Sequence, residues 1–460
     1  MSRGPSWFSA LFGFDEPRDG DGSGDGAAIR ACQARFVFDE AARTLTAVGG
    51  SGEAFACGAF RTPTLAQLRD EGQSALAAAA AADDDDDDVD AAGAGAASGV
   101  SLSHAATADV LAEHACHPGA VFQAASQFNC LEFPAPGCVP EMGITPYSSD
   151  GTQGPACALA CAAGTVVRTY FARVAAHASP ARAALMGEAQ RSGAAGQTAA
   201  AQIDNLDLLA EALLGPPEGA AGAAPRAERA FFVQNGYSAT LAPERLAKLD
   251  AVLAALAAAA AAGDAAARAR RAQLLGLVKV GLHENVGVTF ASRWKRPGAA
   301  EGGGAAAAAE APTVTQVYCS ALAIGYSEHG SRGWTHLARL VLDASYEATL
   351  WAGVLNNAAA RLRGGGGGGG GVGDEPVFLT RIGGGVFSNE ASWIDAAIAR
   401  ALAVVGGEAG GARLRVVCHH FRAVSAAGVA ALDEQRARAA KERAGDRDRD
   451  AAREGGSRFW

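Results

Sequence analysis

The segment Phe378-Leu379-Thr380-Arg381-Ile382-Gly383-Gly384-Gly385-Val386-Phe387-Ser388-Asn389 carries the strongest chemical signal in the chain. An apolar strand ends in three glycines. A helix follows, in which Ser392 and Asp395 have capping-box spacing. Glycine lets the backbone turn sharply and bring amide N–H groups close to a ligand. The next helix adds the positive end of its dipole. Together these suit a phosphate or diphosphate at the carboxyl edge of a sheet. A tight βα turn without a ligand uses the same glycines, so the motif alone leaves both readings open.

Two other segments carry polar groups that could face such a ligand. In Phe122 to Phe133 a strand runs into Gln127 and Asn129, amides able to bond a ribose or a base edge. They could equally satisfy buried backbone at an irregular strand end. In Glu141 to Ala156 a loop feeds a helix N-terminus through Asp150, Gln153 and Gly154, a second potential anion seat. Asp150 or Glu141 could act as general base on water; the alternative is a loop or cap role for each.

Other reactive side chains group poorly. His114, Cys116 and His117 resemble a metal cluster, but no second ligand pair at finger spacing supports zinc. His419 and His420 are adjacent on a strand and so point to opposite faces. His283-Glu284-Asn285 reads as a hairpin turn between two strands, although it could reach a pocket. Cys157 and Cys161 lie one helical turn apart, where core packing is the default. No P-loop, Gly-x-Ser-x-Gly elbow or His-Glu-x-x-His motif is present, which argues against NTPase, esterase and zincin chemistry. No metal and no cofactor is expected.

These segments need elements to hold them. Short Phe- and Val-rich runs at 34–40, 44–48 and 54–60 predict a small antiparallel unit. Thr62-Pro63 predicts a helix start running to about Arg69. Val121–Ala125 reads as a short buried strand, and residues 155–171 as one core helix. Residues 202–214 and 243–262 read as further helices, and residues 274–282, 286–290 and 313–322 as strands. The apolar period from Trp334 to Leu362 predicts the longest helix. After it come a strand at 376–382, the glycine loop, a helix at 392–405 and a strand at 414–419. Alternating helix and strand predicts parallel strands joined by right-handed crossovers, an α/β fold with helices on both faces.

The chain has 460 residues, 49% of them hydrophobic, but 59 are glycine and many are alanine. Residues 75–98 (an alanine run, then Asp83 to Asp88), 297–312 and the eight glycines 364–371 read as disordered inserts within one fold. Residues 178–200 and 215–229 look like softer versions. The expected organisation is an N-terminal arm and β-rich unit (1–74), an insert (75–98), an α/β domain (99–432) and a charged tail (433–460). A net charge of −10 argues against a nucleic-acid backbone as partner. No run is apolar enough to span a bilayer, and no secretory signal is expected from Met1 to Phe14. Nine scattered cysteines and no Asn-x-Ser/Thr acceptor predict free thiols in a reducing, intracellular setting.

In this order the segments resemble a group of macrodomain-like proteins found in protists, algae and bacteria. The likeness runs through Trp7-Phe8 with Leu11 to Phe14, Gly58 to Leu65, Phe122 to Glu132, Thr152 to Ala158, Arg168 to Phe171, Tyr346 to Ala352 and residues 378–389. It covers most of the chain outside the low-complexity tracts. The resemblance implies a three-layer α/β/α fold with a mixed, largely parallel sheet. It implies an ADP-ribose-like ligand whose diphosphate lies on Gly384, Gly385, Val386 and Phe387, flanked by Gly383, Ser388 and Asn389, with Asn129 near the distal ribose. The early loop departs from the pattern by lacking glycines after its Asn, which bears on hydrolysis more than on binding. The expected function is therefore binding of ADP-ribose or an ADP-ribosylated acceptor, as a reader or a hydrolase. A non-catalytic scaffold with a degenerate pocket and an enzyme acting on another nucleotide are the alternatives.

Overall fold

Val121–Ala125, a short and largely apolar run, forms the middle of the main sheet. The computed structural model describes residues 6–19, 26–84, 99–292, 311–364, 373–409 and 413–456. Most of the aspartate run, residues 297–310 and the glycines from 365 onward lie outside the described residues. In chain order the strands are β1 (Val37–Asp39), β2 (Thr44–Thr46), β3 (Ala54–Ala56), β4 (Ala59–Arg61), β5 (Gly99–Thr107) and β6 (Val121–Ala125). They continue with β7 (Phe232–Gln234), β8 (Tyr237–Ala239), β9 (Gly281–Gly287), β10 (Thr313–Cys319), β11 (Val377–Leu379) and β12 (Arg413–Phe421).

Seven strands form one mixed sheet in the order β4-β9-β10-β6-β11-β12-β5. The five from β10 to β5 are parallel, and β9 is antiparallel to both β10 and β4. β1 to β3 form a separate antiparallel sheet, and β7 and β8 a hairpin. The α/β class expected from the alternation of elements is thus present, with a largely parallel sheet.

Side chains of β6 alternate between two helical layers, as strand geometry requires. Val121 joins a core with Trp351, Val377 and Ile394 on one side. Phe122 joins Ala160, Val286 and Phe378 on the other. On the first side the Thr335–Gly364 helix packs between Leu65–Asp84 and Ala391–Glu408, and Ala426–Gly456 covers the last of these. On the second lie Val110–Cys116 and Gln153–Ala160, where the His114, Phe122 and Phe378 rings stack at 3.8 and 4.6 Å between centroids.

Several expectations are corrected. The helix expected at Thr62-Pro63 starts at Leu65 and runs to Asp84, so the alanine run read as a disordered insert is helical to that point. Residues 63 and 64 stay extended because Pro63 accepts a bond from the Val280 amide and Thr64 bridges to Lys279. Alanine has the highest helix propensity, and Gly72 lets this helix press against the Trp351 ring. The strand expected at 274–282 divides between the Ala265–Gly276 helix and β9. His283-Glu284-Asn285 is no hairpin turn: it lies inside β9, with Asn285 at φ 52° where the pairing shifts register. The single helix expected over 155–171 breaks at Cys161, where the Thr165 hydroxyl takes the Ala158 carbonyl at 2.6 Å. The chain then passes through Ala162–Val166 into wider π-type turns at Val167–Phe171. The softer tracts 178–200 and 215–229 hold short helices and turns.

The aromatic start of the chain is fully packed. Phe12 meets Phe8, Phe36 and Phe55 edge to face at 4.8, 5.0 and 5.4 Å. This cluster continues through Tyr147, Ala158, Ala162 and Tyr170 beneath the Gln153 helix. Glu16 adds a polar pin, accepting the Ile144 and Thr145 amides at 2.7 and 2.8 Å. The N-terminal arm therefore holds the loop that leads into that helix. Truncating the fully buried Phe12 to Ala is expected to lower stability by about 3–5 kcal/mol, read as a fall in the urea midpoint at unchanged slope. A loss below about 1 kcal/mol would mean the arm is not part of the cooperative unit.

Candidate functional site

The sheet order places β10 and β11 on opposite sides of β6, so the connection from β6 runs toward β9 and β10 while that from β11 runs the other way, to β12. Ligands of open α/β sheets sit at such a switch point, beyond the carboxyl ends of the strands. A cavity of about 720 Å3 lies there, with walls from the ends of β6, β10, β11 and β12. The splay that opens it has a local cause. β6 and β11 pair only through Val121–Phe122 and Val377–Phe378. Beyond them the Gln123 side chain takes over, accepting the Thr380 amide at 3.2 Å and donating to the Thr349 hydroxyl at 2.9 Å.

The glycine loop forms one wall. Gly383, Gly384, Gly385, Val386, Phe387 and Asn389 all line the cavity. Gly383 is at φ 72°, and a Cβ there would strike Ala321 and the Asn389 amide. Asn389 locks the turn, its backbone N–H donating to Gly383 O and its side-chain N–H to Leu322 O, both at 2.9 Å. Its own Oδ1 has no hydrogen-bond partner among the described residues. Ser388 is in the left-handed region at φ 58° and is not part of the wall. The amides of Gly385, Val386 and Phe387 have no protein acceptor among the described residues.

The capping box expected at Ser392 and Asp395 does not form. The helix begins at Ala391 after an N-cap Glu390 that makes no side-chain cap bond, and Asp395 is taken by Arg381. Both the Ala391–Glu408 and Gln153–Ala160 helices start at the cavity, since Ala391, Gln153 and Gly154 line it.

The amide-rich segments are mostly spoken for internally. Gln127 lines the cavity, but its side chain ties Phe133 and the Tyr237 hydroxyl, fixing the 127–133 turn. Gln153 accepts the Ala125 amide at 2.7 Å and donates to Gln123 O at 2.8 Å, fastening its helix to the end of β6. Asn129, expected near the distal ribose, lies outside the cavity lining. It is fully buried away from the cavity wall, accepting from Leu131 N and donating to Gln202 at 2.8 Å. Glu141, expected as a possible base, is also buried outside the cavity lining, with both carboxylate oxygens 3.0 Å from the Ala199 amide. Asp150 does line the cavity and accepts the Thr152 amide at 2.8 Å.

The sequence reading missed the carboxyl that stands out here, Glu132. It is 3% exposed, lines the cavity, and has an Oε1 with no hydrogen-bond partner among the described residues. Gly154 makes room for it, since a Cβ there would run into the Ala125 carbonyl and the Glu132 carboxyl. Burial pushes the Glu132 pKa up to about 8, against the opposing pull of the Ser126 hydroxyl and the Arg168 guanidinium. A lone charge between Leu131 and Phe133 was the signal available in the sequence. Tyr237, Tyr326 and Phe421 also line the cavity and were not anticipated; Phe387 packs against both tyrosines at 5.5 and 6.0 Å.

The histidines divide as strand alternation requires. His419 packs on Phe378, whereas His420 meets His104 on the opposite face. His114 is buried between Val110 O and Gln316, and Cys116 is exposed, so the 114–117 group does not converge. Comparison with protein-family models, curated proteins and solved structures gives no match to this chain.

The raised Glu132 pKa predicts a pH dependence with a definite sign. Above about pH 4.5 the unfolded chain ionises this carboxyl while the folded protein holds it neutral up to about pH 8. The group's contribution to stability therefore falls as pH rises through that window. Glu132→Gln cannot ionise, so its stability relative to wild type should grow from pH 5 to pH 8 by an amount on the order of a few kcal/mol, then level off. Urea denaturation of both proteins at matched pH measures it, and a constant difference would refute the buried neutral carboxyl.

Proposed function

We propose that the cavity binds a nucleoside diphosphate of ADP-ribose type, on a domain of macrodomain-like architecture. The observation that carries this reading is the run of three amides, Gly385 to Phe387, with no protein acceptor among the described residues, in a loop that lines a cavity onto which two helix N-termini open. Amides so arranged are a preorganised anion seat. The aromatic rings of Tyr326, Phe387 and Phe421 offer faces for a base. A largely neutral Glu132 at pH 7 keeps a second negative charge away from the diphosphate.

The same groups support hydrolysis of an ADP-ribosyl linkage. Glu132 holds a proton to give to the leaving acceptor oxygen, and the Asp150 carboxyl takes the proton of the attacking water. The bond from the ribose to the acceptor breaks as the bond to water forms, and both products leave with their protons balanced.

Calorimetric titration of ADP-ribose into wild type and Gly385→Glu tests binding. A Cβ at Gly385 would meet open space, and the residue has no positive φ, so the variant should fold. Wild type should bind, and the variant should lose at least about tenfold in affinity, or 1.4 kcal/mol. No heat with wild type at millimolar ligand would remove this reading. For hydrolysis, Glu132→Gln should cut turnover by about 10²–10⁴-fold with ADP-ribose affinity nearly unchanged, and the wild-type rate should fall above about pH 8 as the acid loses its proton. No turnover by wild type would leave a reader only, and unchanged turnover in Glu132→Gln would remove Glu132 as the acid.

A further inference from the structure

Three donor atoms of metal-binding type converge where β12 and β5 end beside the cavity. In the parallel register Cys418 lies opposite His104, and His420 follows two residues on, so all three side chains share one face of the sheet. One imidazole nitrogen each of His104 and His420 and the Cys418 Sγ lie within 4.8 Å of one another. The two imidazole nitrogens are 2.9 Å apart. Donors on a tetrahedral zinc ion sit about 3.3–3.8 Å apart, given bond lengths of about 2.0–2.3 Å. The observed spacing brackets that range, so small side-chain rotations would seat an ion. Because His420 also lines the cavity, the cluster is part of its wall.

We propose that His104, Cys418 and His420 form a zinc-binding site with three protein ligands, which leaves a fourth position for water or for a ligand of the cavity. One thiolate and two imidazoles form a donor set that selects zinc over magnesium or calcium, which take oxygen ligands. The neighbouring carboxylates are already engaged, Asp395 by Arg381 and Asp433 by Arg436. They neutralise nearby cations and do not compete as ligands. The bland alternative is a hydrogen-bonded imidazole pair. It accounts for His104 and His420 but gives the Cys418 thiol nothing to do, and that thiol has no hydrogen-bond partner among the described residues. Zinc binding releases the thiol proton to solvent, forms the metal–sulfur bond and changes no oxidation state.

The site stands apart from the nucleotide reading, and its test uses metal alone. The full chain, stripped with a chelator, is titrated with Co2+ as an optical probe and then with Zn2+. One Co2+ per chain should bind, with tetrahedral visible bands and a thiolate-to-cobalt charge-transfer band, and Zn2+ should displace it. Cys418→Ser should abolish the charge-transfer band, and His104→Gln should weaken binding by at least about 10–100-fold. His104 is partly exposed, so His104→Gln tests the site even if Cys418→Ser fails to fold. Absence of stoichiometric binding by wild type, or an unchanged cobalt spectrum and affinity in the folded variants, overturns the proposal.

Discussion

One side-chain amide sets where the sheet opens. Gln123 sits in the middle strand, buried, and reaches across to the Thr380 amide where the β6–β11 ladder has stopped. Its other end holds Thr349 on the Thr335–Gly364 helix, and the backbone carbonyl of the same residue accepts from Gln153 of the opposite helical layer. A single residue thus links both layers to the point where two parallel strands part. A buried network of this kind holds its geometry only when every member is satisfied. Here it is, and the strand ends stay separated by the width the cavity needs.

Charge is handled by the same logic of burial with partners. Arg168 is wholly buried, yet it donates to Cys130 O and the Thr165 hydroxyl and lies 3.7 Å over the Tyr318 ring. It also donates to His283 Nδ1 at 3.3 Å, while the Nε2–H of that ring donates to Cys57 O at 2.6 Å. Burial and the guanidinium together push the His283 pKa down to about 3, so the imidazole stays neutral and its tautomer is fixed. The result is a cation set behind a cavity wall whose nearest carboxyl prefers its proton. That field favours an anion in front of it.

Local period made much of this legible. The central strand, the long helix and the strand–loop–helix–strand of the last third all follow from patterns of two or 3.6 residues, and the glycine loop lies on the cavity as the chain order implied. What misled were sequences in which composition hides period. The alanines after Leu76 resemble filler yet continue a helix, and the small and polar residues of Gly99–Thr107 conceal an edge strand. Leu274 and Leu275 belong to a helix although the run they open suggests a strand. Amide side chains were assigned outward because the sequence cannot say which backbone groups lack partners. Gln127, Gln153 and Asn129 turn inward to serve those groups. Glu132 and the pairing of His104 with Cys418 depend on contacts between segments far apart in the chain, to which no local spacing testifies.

The attachment points of the low-complexity tracts follow a rule. The connections into β5, β10, β11 and β12 each include such a tract or a short Gly-rich stretch, and all four enter at the amino ends of these parallel strands. The cavity lies at the carboxyl ends. Drift in chain length is thereby confined to one pole of the molecule while the other keeps its register. The same pole is where a grafted domain or reporter would be carried with least disturbance to the site.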